Sequence, residues 1–140
     1  MSFKVFHDDF VTFLNNNWAV TPIVESVNVP NEPTGVDPFI SYRTDFNSTE
    51  TNTITGLGQG GQHSKVRDII MSIIVFVPSS SGEDLAIDLA QQIEDLFTNV
   101  SFSTGSYSRD AEIVFSELSE GLWWKTEIAI FFENQEMINN

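Results

Sequence analysis

The sequence predicts an α+β domain: a mostly antiparallel sheet with two helices packed on one face, in the order α-β-β-(arm)-β-α-β-β. Three observations carry that expectation. Two segments place their apolar residues at helical spacing. Several others alternate at the two-residue period of a strand. The strands also lack the regular β-α-β-α succession that a parallel sheet requires.

Residues 3–17 are expected to be helical. Phe6, Phe10, Phe13 and Leu14 fall at i, i+4, i+7 and i+8, and Phe3 and Val11 widen the stripe. Ser2 is the expected cap, and the run Asn15–Asn17 is a stop signal. Trp18 is expected to pack where the chain turns into a short strand at 21–24. Pro30, Pro33, Gly35 and Pro38 then mark an irregular connection. Along 39–46, Ile40, Tyr42, Thr44 and Phe46 share one side, and Ser41, Arg43 and Asp45 the other, as in a half-buried strand.

Residues 47–65 carry only Ile54 and Leu57 as large apolar residues and form a polar arm. Such a stretch inside a domain is either a flexible segment that orders on assembly or an ordinary β-hairpin. Ile54, Gly56, Leu57, Gly58, Gln62 and His63 are its candidate assembly residues.

The strongest strand is 66–77. Ile69, Met71, Ile73, Val75 and Val77 line one face, and Val66, Asp68, Ile70, Ser72, Ile74 and Phe76 the other. Bulk on both sides signals a central strand. Ser80 or Ser81, with Glu83 or Asp84 as a capping box, is expected to start a second helix ending near Phe97. Leu85, Leu89, Ile93, Leu96 and Phe97 are its core stripe. Strands follow at about 112–118 and 122–133, with a short pairing segment around 100–102. The tail 134–140 shows no pattern and is expected to fray.

A chain of 140 residues is about one domain, 1–140, and buries roughly 68–70 % of its unfolded surface. The absence of cysteine excludes disulfides, thiol catalysis and cysteine-ligated zinc. Asp8, Asp9 and Asn15–Asn17 interrupt the N-terminal region where a signal peptide needs an apolar stretch, so an unsecreted, soluble protein is expected. The net charge of −14 comes from 20 acidic and 6 basic residues. With no basic cluster beyond Lys65–Arg67, the chain lacks the cations that replace phosphate counterions, so gripping nucleic acid is excluded.

No pattern of residues points to catalysis. Gly56, Gly58 and Gly61 fit G-x-G-x-x-G, but a polar stretch precedes them and a strand follows, so the strand-to-helix turn that holds a pyrophosphate is missing. His7, Asp8 and Asp9 are consecutive and point in different directions on a helix. The carboxylates of the second helix lie on its expected solvent face. No serine elbow, Walker lysine or zinc spacing occurs. No catalytic, cofactor-binding or metal-binding residues are expected, and the chain reads as a non-enzyme.

The informative feature is surplus apolar surface. The helices account for one sheet face. The other would display Ile70, Ile74 and Phe76 on the central strand and Trp123, Ala129 and Phe131 on the last. Either the chain's own loops cover it or it is a subunit interface. Arg67, Ile70, Ile74, Phe76, Trp123, Lys125 and Phe131 are the candidate interface residues, with Arg67, Lys125 and Glu127 as rim charges. Like-with-like packing through such a face would give a dimer, and head-to-tail packing a ring or a filament.

The chain resembles the tail terminator proteins of long-tailed bacteriophages. The resemblance covers roughly 6–133. It rests on the helix leading into Trp18-Ala19-Val20-Thr21-Pro22-Ile23, the Asn31–Pro33 region and the extended Phe39-Ile40-Ser41-Tyr42. It continues through Ile73–Pro78 running into Gly82, the helix ending Ile93–Phe97, and the aromatic strand Trp123–Phe132. Asp68 departs from the pattern, where a glycine is expected after Arg67.

The resemblance implies a homo-oligomer, a hexameric ring at the head-proximal end of the tail. Such a ring caps the tail tube, ends its polymerisation and offers a surface to a head connector or stopper protein. DNA passes through it without specific binding. It further implies residence in the virion, with assembly in the host cytoplasm, and no cofactor. Another neck or tail component, a connector completion or tube protein, shares these features. A small ligand-binding or enzymatic α+β domain is the alternative from a different class.

Overall fold

The computed structural model describes residues 3–25, 37–53, 62–102, 105–119 and 122–139, with side chains at all of these except 48–53, 62–65 and 135–139. Helix α1, Phe3–Asn17, buries Phe6, Phe10 and Leu14, the one-face stripe of its sequence. The amides of Asn15 and Asn17 donate to the carbonyls of Val11 and Phe13. Trp18 gives the last helical bond, to Leu14 O, and its indole N–H donates to Thr21 Oγ1 at 2.9 Å. That bond satisfies a ring that is otherwise buried at the turn.

Among the described residues, five strands form one sheet in the order β1-β2-β3-β5-β4. Strand β1, Ile23–Val24, runs parallel to the start of β2, Phe39–Thr53. All other pairings are antiparallel: β2 with β3 (Gln62–Pro78), β3 with β5 (Trp123–Asn139), and β5 with β4 (Ser106–Ser119). The expected class, α+β with two helices on one face of a mostly antiparallel sheet, is the fold observed.

Residues 47–53 and 62–65, assigned from sequence to the arm, extend β2 and β3 as an antiparallel hairpin, with Thr53 opposite His63. Residues 54–61, with Ile54, Gly56, Leu57 and Gly58, lie outside the described residues. The tail 134–139 continues β5, its Asn139 opposite Gln62. Backbone pairing along the 17-residue β3 carries the last strand past the end of its apolar pattern. The segment around Val100–Phe102 pairs as expected: Ser101 bridges Tyr107, and Phe102 and Ser106 close a turn through Gly105.

Helix α2, Glu83–Leu96, starts differently from expectation. Ser79–Ser81 form a 3-10 turn, Gly82 is the cap at φ +86°, and no side chain caps the helix. The capping box on Ser80 or Ser81 is therefore absent. Gly82 N–H bonds back to Ser79 O, so the serines are used in a turn that only a glycine can leave at that φ. Glu83 and Asp84 still sit in the first turn, where the helix dipole favours them.

Both helices cover the same side of the sheet. The core joins Phe6, Phe10 and Leu14, then Ala86, Leu89, Ala90, Ile93 and Phe97, to Ile69, Met71, Ile73, Val75, Val77, Ile128, Ile130 and Phe132. The rings interlock. Phe10 stacks on Phe97 at 5.3 Å, and Phe132 meets Phe6 edge-on at 5.1 Å. Among the described residues no helix is long and apolar enough to cross a membrane.

Candidate subunit interface on the open sheet face

Antiparallel partners share a face, so the register identifies every side chain on the side away from the helices. On β3 these include Asp68, Ile70, Ser72, Ile74 and Phe76. On β5 they are Trp123, Lys125, Glu127, Ala129, Phe131 and Glu133. This is the alternation expected from sequence. It also moves Arg67: β3 has no bulge against β5, so Arg67 keeps the parity of Ile69 and lies on the helix side, opposite Asn134. Arg67 is not part of the open face.

Phe46 moves the other way. The β2 register slips between Thr44 and Phe46, leaving Asp45 as an extra residue. Thr44 stays opposite Met71 on the helix side, whereas Phe46 faces Ile70 on the open side and is 49 % exposed. Strict alternation places it on the side of Ile40 and Tyr42. A bulge leaves no signature in the apolar pattern, so this residue was missed. Strand β4 has two more bulges, at Arg109 and Val114, and presents Phe115, 42 % exposed, opposite Glu127.

The face has two parts. At one end Phe39, Phe76 and Trp123 form their own buried cluster with Val24 and Ile74 packed against it. Phe39 stacks on Phe76 at 4.6 Å, and Lys125 Nζ sits 5.4 Å from the Phe76 ring centre. Of the predicted interface residues, Phe76 and Trp123 are thus buried within the chain. Ile70, Ile74 and Phe131 remain half-buried beside the exposed Phe46.

Between the apolar residues lies a charged cluster. Arg43 Nη2 donates to Glu127 Oε1 at 2.8 Å and its Nε to Asp45 Oδ1 at 2.8 Å, while the Ser72 hydroxyl donates to the other Asp45 oxygen. Glu127, expected as a rim charge, is buried in the middle of the sheet. Burial raises its carboxyl above the ordinary 4.5; Arg43 opposes that shift and Asp45 adds to it. At the far end Arg109 Nη1 pairs with Glu133 Oε2 at 3.0 Å.

Gln62 and His63 begin β3, opposite Asn139 and Ile138. His7 and Asp8 line a groove of about 330 Å³ with Val11, Thr12, Glu25 and Tyr42. Burial, reinforced by Glu25, raises the Tyr42 phenol above its ordinary 10.0. Asp8 is paired with Lys4 at 3.0 Å, and among the described residues no three His, Asp or Glu side chains converge on a metal-sized site. Comparison with protein-family models and with curated proteins finds no match to this chain.

Proposed function

We propose that this protein is a structural assembly subunit that closes into a ring through its open sheet face. In the role its resemblance implies, that ring is a phage tail terminator: it caps the tail tube, ends polymerisation and offers a surface for head joining, with DNA passing through. The observation that carries the reading is the apolar stretch of the exposed Phe46 with the half-buried Ile70, Ile74 and Phe131, on a sheet side that neither described helix covers. Surfaces of this kind are normally covered by a partner.

A second copy is the occupant that the dimensions favour. Leaving out the end that the chain buries itself, residues 66–75 of β3 span about 33 Å at ~3.3 Å per residue, and four strands at ~4.8 Å give a width of about 19 Å. The footprint of roughly 600 Å² per copy, about 1,200 Å² for a pair, reaches the low end of a standard interface. A net charge of −14 per copy suits a ring through which DNA slides without adhering.

Ile74→Glu and Phe131→Glu are the tests. Each puts a carboxylate on the open face and should leave a folded monomer that no longer sediments as a ring. Electron microscopy of tails assembled with and without the protein tests the role: tails of uncontrolled length in its absence support termination. Tails of normal length that fail to join heads would replace that role with a connector one. Both variants assembling normally would place the interface elsewhere.

A further inference from the structure

We propose that closing the open face against a second copy takes up a proton at the Arg43–Asp45–Glu127 cluster, so that assembly strengthens as the solution becomes mildly acidic. The inference rests on the open face being the subunit interface and adds a control on that same surface.

The cluster joins one cation and two carboxylates, a net charge of −1, in the middle of the face. Asp45 is satisfied twice, by Arg43 and by Ser72. Glu127 shares the same guanidinium, whose side chain is still 55 % exposed. Water on that exposed side of Arg43 and around the carboxylates screens the surplus negative charge. A second copy laid over Ile70, Ile74 and Phe131 removes that water. An unbalanced charge in such a place is costly, whereas a neutral pair is tolerated when hydrogen-bonded. Of the two carboxylates, Glu127 is the one that yields. It is the more deeply buried, and Asp45 keeps two donors when Glu127 is neutral.

The surroundings of Glu127 point the same way. From β2 it faces Arg43 and Asp45. From β3 its register partner is Ile74, with the uncharged Ser72 next on that face. On β4 its partner is Phe115, flanked by Glu112 opposite Ala129 and Glu117 opposite Lys125. On β5 itself Lys125 is the one nearby cation, and its amine lies over Phe76. Carboxylates outnumber cations around the site, which favours the neutral acid once solvent is excluded. Burial has already raised this carboxyl in the single chain.

The experiment is sedimentation equilibrium of the full chain between pH 5 and 8 at fixed ionic strength. One proton taken up per contact makes the association constant rise by up to about tenfold per pH unit of acidification. Glu127→Gln should associate at pH 8 as the unaltered chain does at pH 5, with a flat profile. Asp84→Asn on α2 removes one negative charge away from the face and should keep the unaltered slope, separating the local effect from general repulsion. Arg43→Gln should weaken association at pH 8 and recover in acid. If Glu127→Gln keeps the original slope, or associates no more tightly at pH 8, the proton linkage is wrong. The interface reading survives that result if Ile74→Glu still abolishes association at every pH. If Ile74→Glu associates like the unaltered chain, or the unaltered chain is monomeric throughout, the interface reading falls and the linkage with it.

Discussion

Phe131 and Phe132 are neighbours in sequence and belong to opposite faces, so their alanine variants should fail in different ways. Phe132 is 2 % exposed, with its ring 5.1 Å from Phe6, 5.4 Å from Phe102 and 6.0 Å from Phe10. Removing it takes about 200 Å² of apolar surface out of the core. At ~25 cal/mol per Å², reduced by the compactness of the unfolded chain, the loss is about 4 kcal/mol, within the ~3–5 kcal/mol of buried Phe→Ala changes. With a urea slope of ~2 kcal/mol per molar, the unfolding midpoint of Phe132→Ala should drop by about 2 M. Phe131 is half-buried on the open face, and neither described helix packs over it. By the same reckoning, at half the burial, Phe131→Ala should cost about 2 kcal/mol, half the Phe132 loss, while weakening self-association. Urea titration at low micromolar concentration, followed by tryptophan fluorescence, measures both. A Phe132→Ala loss under about 2 kcal/mol, or equal losses in the two variants, would refute the assignment of the two faces.

Gly105 holds φ +92° in the turn before β4, and an added Cβ would lie 3.3 Å from Asn134 Nδ2. Gly105→Ala should therefore destabilise by about 1–2 kcal/mol, readable in a thermal melt, whereas a turn able to relax would leave the melt unchanged. Glu127 gives a pH signature in the monomer as well. Its carboxyl is raised in the folded chain, so the folded state holds that proton more tightly than the unfolded one. The unaltered chain should lose stability relative to Glu127→Gln as pH rises from 4.5 through the folded value, with no further divergence above it. Denaturant titrations of both proteins across that range check the sign, and divergence in the opposite direction would contradict it. The Tyr42 phenol should ionise above 10.0 in an ultraviolet titration, and replacing Glu25 by Gln should lower it.

What could be read from sequence was whatever depends on an unbroken period. Phe6, Phe10 and Leu14 repeat at helical spacing and are the buried residues of α1. Ile69 to Val77 alternate without interruption, and β3 keeps one register against β5 along its whole length. Features that break a period or lie outside it were hidden. The bulge at Asp45 reverses the side of every β2 residue after it, so strict alternation puts Phe46 on the side of Ile40 and Tyr42, the wrong one. Arg67 was grouped with interface residues by its charge, although its odd position places it with Ile69. The pairing of Arg43 with Glu127 spans 84 residues of chain and depends on β2 and β5 flanking β3. No local spacing encodes such a contact. Residues 133–136 of β5 are all polar and break its apolar pattern, and backbone pairing with β3 carries the strand through them.

The strand order has a consequence for how the chain reaches this state. β5 follows every other element in sequence, yet it lies between β3 and β4. β2 and β3 can pair early, because their partners are close along the chain. β4 has no strand to pair with until β5 arrives, and one edge of β3 stays bare for the same time. That edge belongs to a strongly apolar strand, so the incomplete chain exposes a sticky margin that only its last strand can close. Folding should therefore be all-or-none at this step, and a chain stalled before β5 should aggregate before it accumulates as a soluble intermediate.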